Sequence, residues 1–250
     1  MVLNKPYGLP VQGGEKVKVS LDSILSEKYK PRPLLVHRLD RDTSGLILVA
    51  KSREAAADFS ALFATRETSL HYAGNKADRE KPVIVKQYMA FCYGVVEPDE
   101  GTITLSLDVK GKGKGPLESE TFYRRLAYAS VRLPDGSEGE LSLSLLELEL
   151  GTGRTHQIRR HLALKGFPLL GDDKYGNFQL NRKLMKTLGL KRMLLHASRL
   201  VIPPSPRLPD GLEVTAPLPD YFSRFIETLN SRLDIPPPFP MILSLWRGFR

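Results

Sequence analysis

The stretch His37-Arg38-Leu39-Asp40-Arg41-Asp42-Thr43-Ser44-Gly45-Leu46-Ile47-Leu48-Val49-Ala50 decides how this chain is read. Its second half, Leu46 to Ala50, is a continuous apolar run of strand length, which predicts a buried strand. Its first half is polar and reads as a loop held at the mouth of that strand. Ser52 then stands as a helix cap, with Glu54 near the positive end of the helix dipole and Phe59, Leu62, Phe63 and Arg66 at helical spacing. A helix through about Arg66 is expected. Strand followed by helix is a mixed α/β signature, and charged loops at strand ends are where rigid scaffolds carry function.

Working outward, the chain is expected to enter strand structure at its second residue, and a short helix from Ser20 would turn Leu21, Ile24 and Leu25 inward. Residues 83–96, 102–109 and 121–133 read as successive strands without intervening helices, a pattern that favours antiparallel pairing. In residues 141–150, Leu141, Leu143 and Leu145 share one parity and Leu146, Leu148 and Leu150 the other. Such a slip is produced by a bulge or bend, unless both faces are buried. Between these strands, Gly111-Lys112-Gly113-Lys114-Gly115-Pro116 reads as a basic loop. After Gly151-Thr152-Gly153, residues 156–165 place Ile158, Leu162 and Lys165 on one helical stripe with Gly166 as the stop, and Arg159 on a defined face. A strand over 193–202 and a helix over about 220–233 follow.

The chain has 250 residues, 41% hydrophobic, and 37 Lys+Arg against 28 Asp+Glu give a formal charge of +9. That length supports a core without disulfides, and Cys92 as the single cysteine excludes an internal one. No stretch approaches the ~20 apolar residues of a membrane helix, and the first residues lack a secretory signal's pattern. Basic clusters at Lys110, Lys112 and Lys114 and at Arg154, Arg159 and Arg160 sit beside glycines, where side chains and backbone reach phosphates together.

Asp40 and Asp42 stand two apart, yet Arg38 and Arg41 beside them oppose a cation, so a metal site is not expected. The plain alternative is that both carboxylates pair with these arginines or cap the turn. His156 and His161 miss the spacing of a helical zinc pair and read as structural. The chain contains no G-x-S-x-G elbow, no Walker sequence and no complete G-x-G-x-x-G. An aspartate, several arginines and aromatics such as Tyr88 and Tyr175 remain, a set able to stack a nucleobase and act on it without metal.

Five segments in order carry a resemblance: Asn4-Lys5-Pro6-Tyr7-Gly8, His37 to Gly45, Lys86-Gln87-Tyr88-Met89-Ala90, Gly153-Arg154-Thr155-His156-Gln157-Ile158-Arg159, and Leu195-His196-Ala197. Together they resemble the RluA-type pseudouridine synthases over residues 2 to about 227. The resemblance implies an α+β (mixed α/β) catalytic fold with a long, mainly antiparallel sheet, a central cleft and flanking helices. It implies that Asp40 is the catalytic aspartate, that Tyr88 stacks on the target base, that Arg159 pairs with the aspartate, and that Arg38 helps to displace the target nucleotide. RNA contacts are further expected from Arg41, Arg154, His156, Gln157, Lys110, Lys112 and Lys114. An arginine beside Asp40 would keep it ionised.

The expected organisation is a catalytic domain over 1–233, with an insertion at about 71–85 and the basic loop at 110–116, and a proline-rich arm over 234–250. The expected activity is conversion of uridine to pseudouridine in structured RNA, ribosomal before transfer RNA, with no cofactor, no metal and no membrane, and with RNA, including a ribosomal subunit or assembly intermediate, as partner. A non-catalytic RNA-binding assembly factor that has kept the fold is the competing reading. The high pI and the insertion lean toward a mitochondrion over a bacterial cytoplasm.

Overall fold

The computed structural model describes residues 1–15, 17–64, 84–108, 115–132 and 140–232. The expected insertion at 71–85 lies almost wholly outside them, as do Lys110, Lys112, Lys114 and the arm at 234–250. The fold is mixed α+β with a large, mostly antiparallel sheet, as the resemblance implies. The chain divides into two compact units, residues 1–87 with 197–216 and residues 88–232 without that return segment.

In the first unit, strands β1 (Val2–Lys5), β3 (Ser44–Ala50) and β8 (Leu195–Ile202) lie in that order. All seven residues of β3 are buried, so the apolar run fills a strand covered on both faces. β1 runs antiparallel to β3 with Lys5 opposite Gly45, β2 (Leu34–Leu35) also pairs β3, and β9 (Leu212–Thr215) pairs β8. Gly45 has φ 109°, and a Cβ there would run into the Ala197 backbone, so only glycine lets these two strands approach at the loop's foot. Helix α1 (Leu21–Lys28) begins at Ser20 with a reciprocal capping box through Ser23. Helix α2 (Arg53–Ala64) begins where Ser52 Oγ accepts the Ala55 amide at 3.2 Å, and its Phe59 packs with Leu46, Leu48 and Ile202.

In the second unit the strand order is β4 (Val85–Tyr93), β7 (Leu141–Leu150), β6 (Leu117–Val131), β5 (Glu100–Leu107). Phe91 meets Phe222 and Phe225 of helix α5 (Asp220–Arg232) at ring separations of 5.6 and 5.7 Å. Met89 and Tyr93 share that core with Leu184 and Leu188 of helix α4 (Phe178–Leu188). The parity slip in β7 has two causes. Leu143, Leu145, Leu146 and Leu148 are all fully buried, so both faces are covered, and a bulge lies on the partner strand, where the register shifts between Arg125 and Ala127 opposite Leu146 and Leu145. The expected helix after the glycine loop is α3 (Gln157–Leu164). Its stripe ends at Leu162, because Lys165 is exposed.

Candidate active site

Asp40 sits in the loop that leads into β3, half-buried, and its carbonyl accepts the Thr43 amide at 3.2 Å to close the turn. Its neighbour Asp42 is buried and takes the plain reading: Arg41 clasps it, Nε to Oδ1 at 3.1 Å and Nη2 to Oδ2 at 3.1 Å. Among the described residues no cluster of His, Cys, Asp or Glu has the makings of a metal site.

Beneath this loop lies a residue whose role the sequence did not disclose. Lys5 is only 1% exposed, and its Nζ donates to the carbonyls of Pro6, Leu9 and Arg41 at 3.0, 2.9 and 3.0 Å. The Gly8 amide donates to the same Arg41 carbonyl at 2.9 Å. The turn at Pro6 and Gly8, which reads as ordinary from its residues, is thus tied to the residue after Asp40. Burial pushes the Lys5 ammonium down to about 8, and the charges of Asp42 and then Asp40 oppose that fall. The Lys5 cation thus lies in the field of both carboxylates.

His37 anchors the other end of the loop. Its Nε2 accepts the Leu48 amide at 2.8 Å, and its ring packs on Phe63 at 4.4 Å. Burial, and then the Lys86 charge, hold its pKa down to about 3, so the ring is neutral and an acceptor at Nε2. Arg38 and Arg41 are exposed at the loop surface.

In the second unit Tyr88 is 6% exposed. Strand alternation places it with Ala90 and Cys92 on the face of β4 opposite Met89, Phe91 and Tyr93, which meet α4 and α5. Burial pushes the Cys92 thiol up to about 12, which removes it as a nucleophile at neutral pH.

Arg159 is 3% exposed on α3. Its guanidinium binds Asp172, with Nε to Oδ2 at 2.7 Å and Nη2 to Oδ1 at 2.6 Å, and Asp173 at 3.1 Å. Burial alone would raise the Asp172 carboxyl, but the Arg159 hydrogen bonds and the Tyr175 and Lys174 amides outweigh it and hold it below the usual range. The Tyr175 ring lies 5.3 Å from the guanidinium, and its hydroxyl meets His156 Nδ1 at 3.1 Å. Asn181 ties the turn to its helix by donating to the Asp172 carbonyl at 2.9 Å and accepting from the Gly171 amide and the Tyr93 hydroxyl, each at 2.8 Å.

Gln157 is held within the protein. Expected on RNA, it is buried, its Oε1 accepts from Thr152 Oγ1 and the Arg154 amide, and its Nε2 donates to the Glu120 carbonyl and to Thr121 Oγ1. Every amide position is occupied within the protein, so Gln157 fixes the Gly151-Gly153 loop to β6. Arg154 and His156 are half-buried in that loop, and His156 starts α3 with a left-handed φ of 55°. His161 is structural as expected, fully buried with Nε2 2.9 Å from Ser119 Oγ. Asp172, Asn181 and Lys5 had no role assigned from sequence, because Arg159, Tyr93 and Arg41 meet them only across 13, 88 and 36 positions.

The sequence model of a family described as RNA pseudouridylate synthase matches residues 1–164. A ribosomal large subunit pseudouridine synthase C of Rickettsia felis is 36% identical over 234 residues, 91% of this chain and 68% of that protein. A mitochondrial pseudouridylate synthase of Mus musculus is 29% identical over 274 residues, 94% of this chain and 68% of that protein. Among solved structures, human RNA pseudouridylate synthase domain containing 4 is similar with a TM-score of 0.66 at 27% identity, over 95% of this chain and 90% of that one. With the five motifs in order, the chain belongs to the RNA pseudouridylate synthase family, isomerases that convert uridine in RNA to pseudouridine.

Proposed function

We propose that this synthase acts on large-subunit ribosomal RNA, with Asp40 as its nucleophile, Tyr88 stacking on the target uracil and Arg159 holding the charge of the catalytic state. The observation that carries the reading is the Asp40 loop: a half-buried carboxylate over the buried ammonium of Lys5, beside a second carboxylate already clasped by arginine. In the reaction the C1′–N1 bond breaks, the uracil turns, and C1′ joins C5, with a proton lost from C5 and one gained at N1. Asp40 traps or stabilises the electron-poor ribose or base while the uracil is detached. A paired uridine is out of reach of a side chain, so it is flipped from its helix, with Arg38 at the exposed surface of the loop filling the place it leaves. No step requires a metal or redox cofactor.

The choice of ribosomal over transfer RNA, and of a ribosomal subunit or assembly intermediate as partner, is supported by the name of the Rickettsia relative. The mitochondrial expectation is supported only by the name of the mouse relative, and the bacterial enzyme is the more similar of the two, so a bacterial-type setting is the better-supported reading.

The test is carbodiimide mapping of a large-subunit ribosomal RNA transcript treated with purified protein. Wild type is expected to produce at least one new pseudouridine stop. Asp40→Asn should lower the rate by more than about 10³-fold while RNA affinity stays unchanged. Full modification by Asp40→Asn would remove the aspartate from the mechanism, and modification of transfer RNA alone would replace the substrate.

A further inference from the structure

Helix α4 has two faces. Leu184 and Leu188 enter the core, whereas Phe178, Arg182 and Met185, spaced i, i+4, i+7, form an outward stripe on which Phe178 is 53% and Met185 50% exposed. A large aromatic and a methionine exposed together on one helix face form an adaptable apolar surface. They line a groove of about 310 Å³, open to solvent, with Arg182, Lys191 and Arg192 on its rim. From Lys174 to Arg192 the chain carries Lys174, Arg182, Lys183, Lys186, Lys191 and Arg192 and no Asp or Glu. One carboxylate, Asp173, lines the groove, and it is turned to Arg159 at 3.1 Å.

The groove shares its wall with the Arg159 turn. Asn181 lines it and carries the hydrogen bonds to Gly171 and Asp172 that hold the turn against the helix. An occupant would therefore rest on the element that positions Arg159.

We propose that this groove is a second RNA subsite, taking one unpaired nucleotide outside the target uridine: its base lies on Phe178 and Met185, and its flanking phosphates are held by Arg182, Lys191 and Arg192. The pairing of a stacking surface with clustered cations is what single-stranded nucleic acid requires. An acidic protein segment would use the cations but would have no need of an exposed ring beside them. The inference rests on the proposed action on RNA and adds where the substrate is gripped beyond the reacting base.

The test uses the full chain, a fluorescein-labelled single-stranded decauridylate and the ribosomal transcript. Phe178→Ala is expected to weaken decauridylate binding about 5-fold to 150-fold. Arg182→Glu with Lys191→Glu should weaken it further and flatten the slope of log affinity against log salt by about 1.4, two phosphate contacts on a single strand. On the transcript both losses should appear in KM more than in kcat. Ultraviolet crosslinking of wild type to the decauridylate should label the peptide spanning Phe178 to Arg192, a readout that does not depend on any variant folding. Wild-type affinity in both variants, or crosslinks confined elsewhere, overturns the subsite. So does retained RNA affinity with lost retention on polyglutamate, which would assign the groove to an acidic protein. Asp40→Asn run in parallel separates the failures: if it abolishes modification while the groove variants bind normally, the subsite falls and the enzymatic assignment stands.

Discussion

The loop above β3 and the turn beyond α3 each bury a cation, and they stabilise it by different chemistry. Lys5 faces three neutral carbonyls, with the carboxylates of Asp42 and Asp40 acting only through their fields. Arg159 faces two carboxylates at hydrogen-bond distance, and Asp172 is itself held by two backbone amides. A guanidinium cannot lose its proton in water, so the second region has a fixed charge; an ammonium among carbonyls can, and burial has already brought it to about 8. The region that carries the proposed nucleophile is the one whose charge can change with pH.

The difference is broken most severely at Asp172. Asp172→Asn keeps the shape and an acceptor for the Lys174 and Tyr175 amides but leaves the guanidinium of Arg159, 4% exposed at its side chain, with a neutral partner in place of its main one. Removing one partner of a buried pair costs about 3–5 kcal/mol. Urea unfolding should show that loss in the midpoint. The double variant Arg159→Met with Asp172→Leu should recover most of it, because no charge is then left buried; a double variant as unstable as the single one would mean that the turn depends on the Asp172 shape and not on charge.

Lys5→Met should be milder, about 1–3 kcal/mol, since it removes the charge together with its donors and leaves only neutral carbonyls unsatisfied. Its pH behaviour is more telling. The folded pKa, about 8, lies below the ordinary 10.5, so between these values the unfolded chain binds the proton more tightly than the folded one. Stability from this group is therefore present above about pH 10.5 and lost as pH falls through about 8. Relative to Lys5→Met, wild type should gain stability from pH 8 upward, while modification activity falls over the same range as the cation under Asp40 disappears. Stability and activity moving together would show that Lys5 only fills space.

How much of this was legible follows from how local each signal is. β3 and α2 could be read because an apolar run, a capping serine and helical spacing lie within a few residues of one another. That Asp42 is clasped by Arg41 was legible only as one alternative, since the pairing depends on the conformation of the turn. Helix α4 went unread although Asn177 caps it and Gly189 closes it with φ 70°; its polar face is interrupted by Phe178 and Met185, so the amphipathic pattern is blurred where a binding surface is proposed. Lys5 and Asp172 were out of reach of spacing. Lys5 meets a carbonyl 36 positions away and Asp172 meets Arg159 across 13, contacts that exist only once the strands and helix are docked.

The smallest test concerns His156, which starts α3 in a conformation unfavourable for any residue with a Cβ. Its Nδ1 meets the Tyr175 hydroxyl at 3.1 Å, and the same Tyr175 ring covers Arg159. Tyr175→Phe keeps the ring and removes the hydroxyl, at a cost of about 0.5–1.5 kcal/mol. His156→Gly loses the same hydrogen bond but relieves the positive φ, a gain of about 1 kcal/mol that nearly offsets the loss. The two variants share the missing bond and differ in the relieved strain, in the edge-on ring contact at 5.6 Å that His156→Gly also loses, and in the freer unfolded chain that glycine brings. A higher melting temperature for His156→Gly would show that the relieved strain outweighs both losses; a lower one, that it does not.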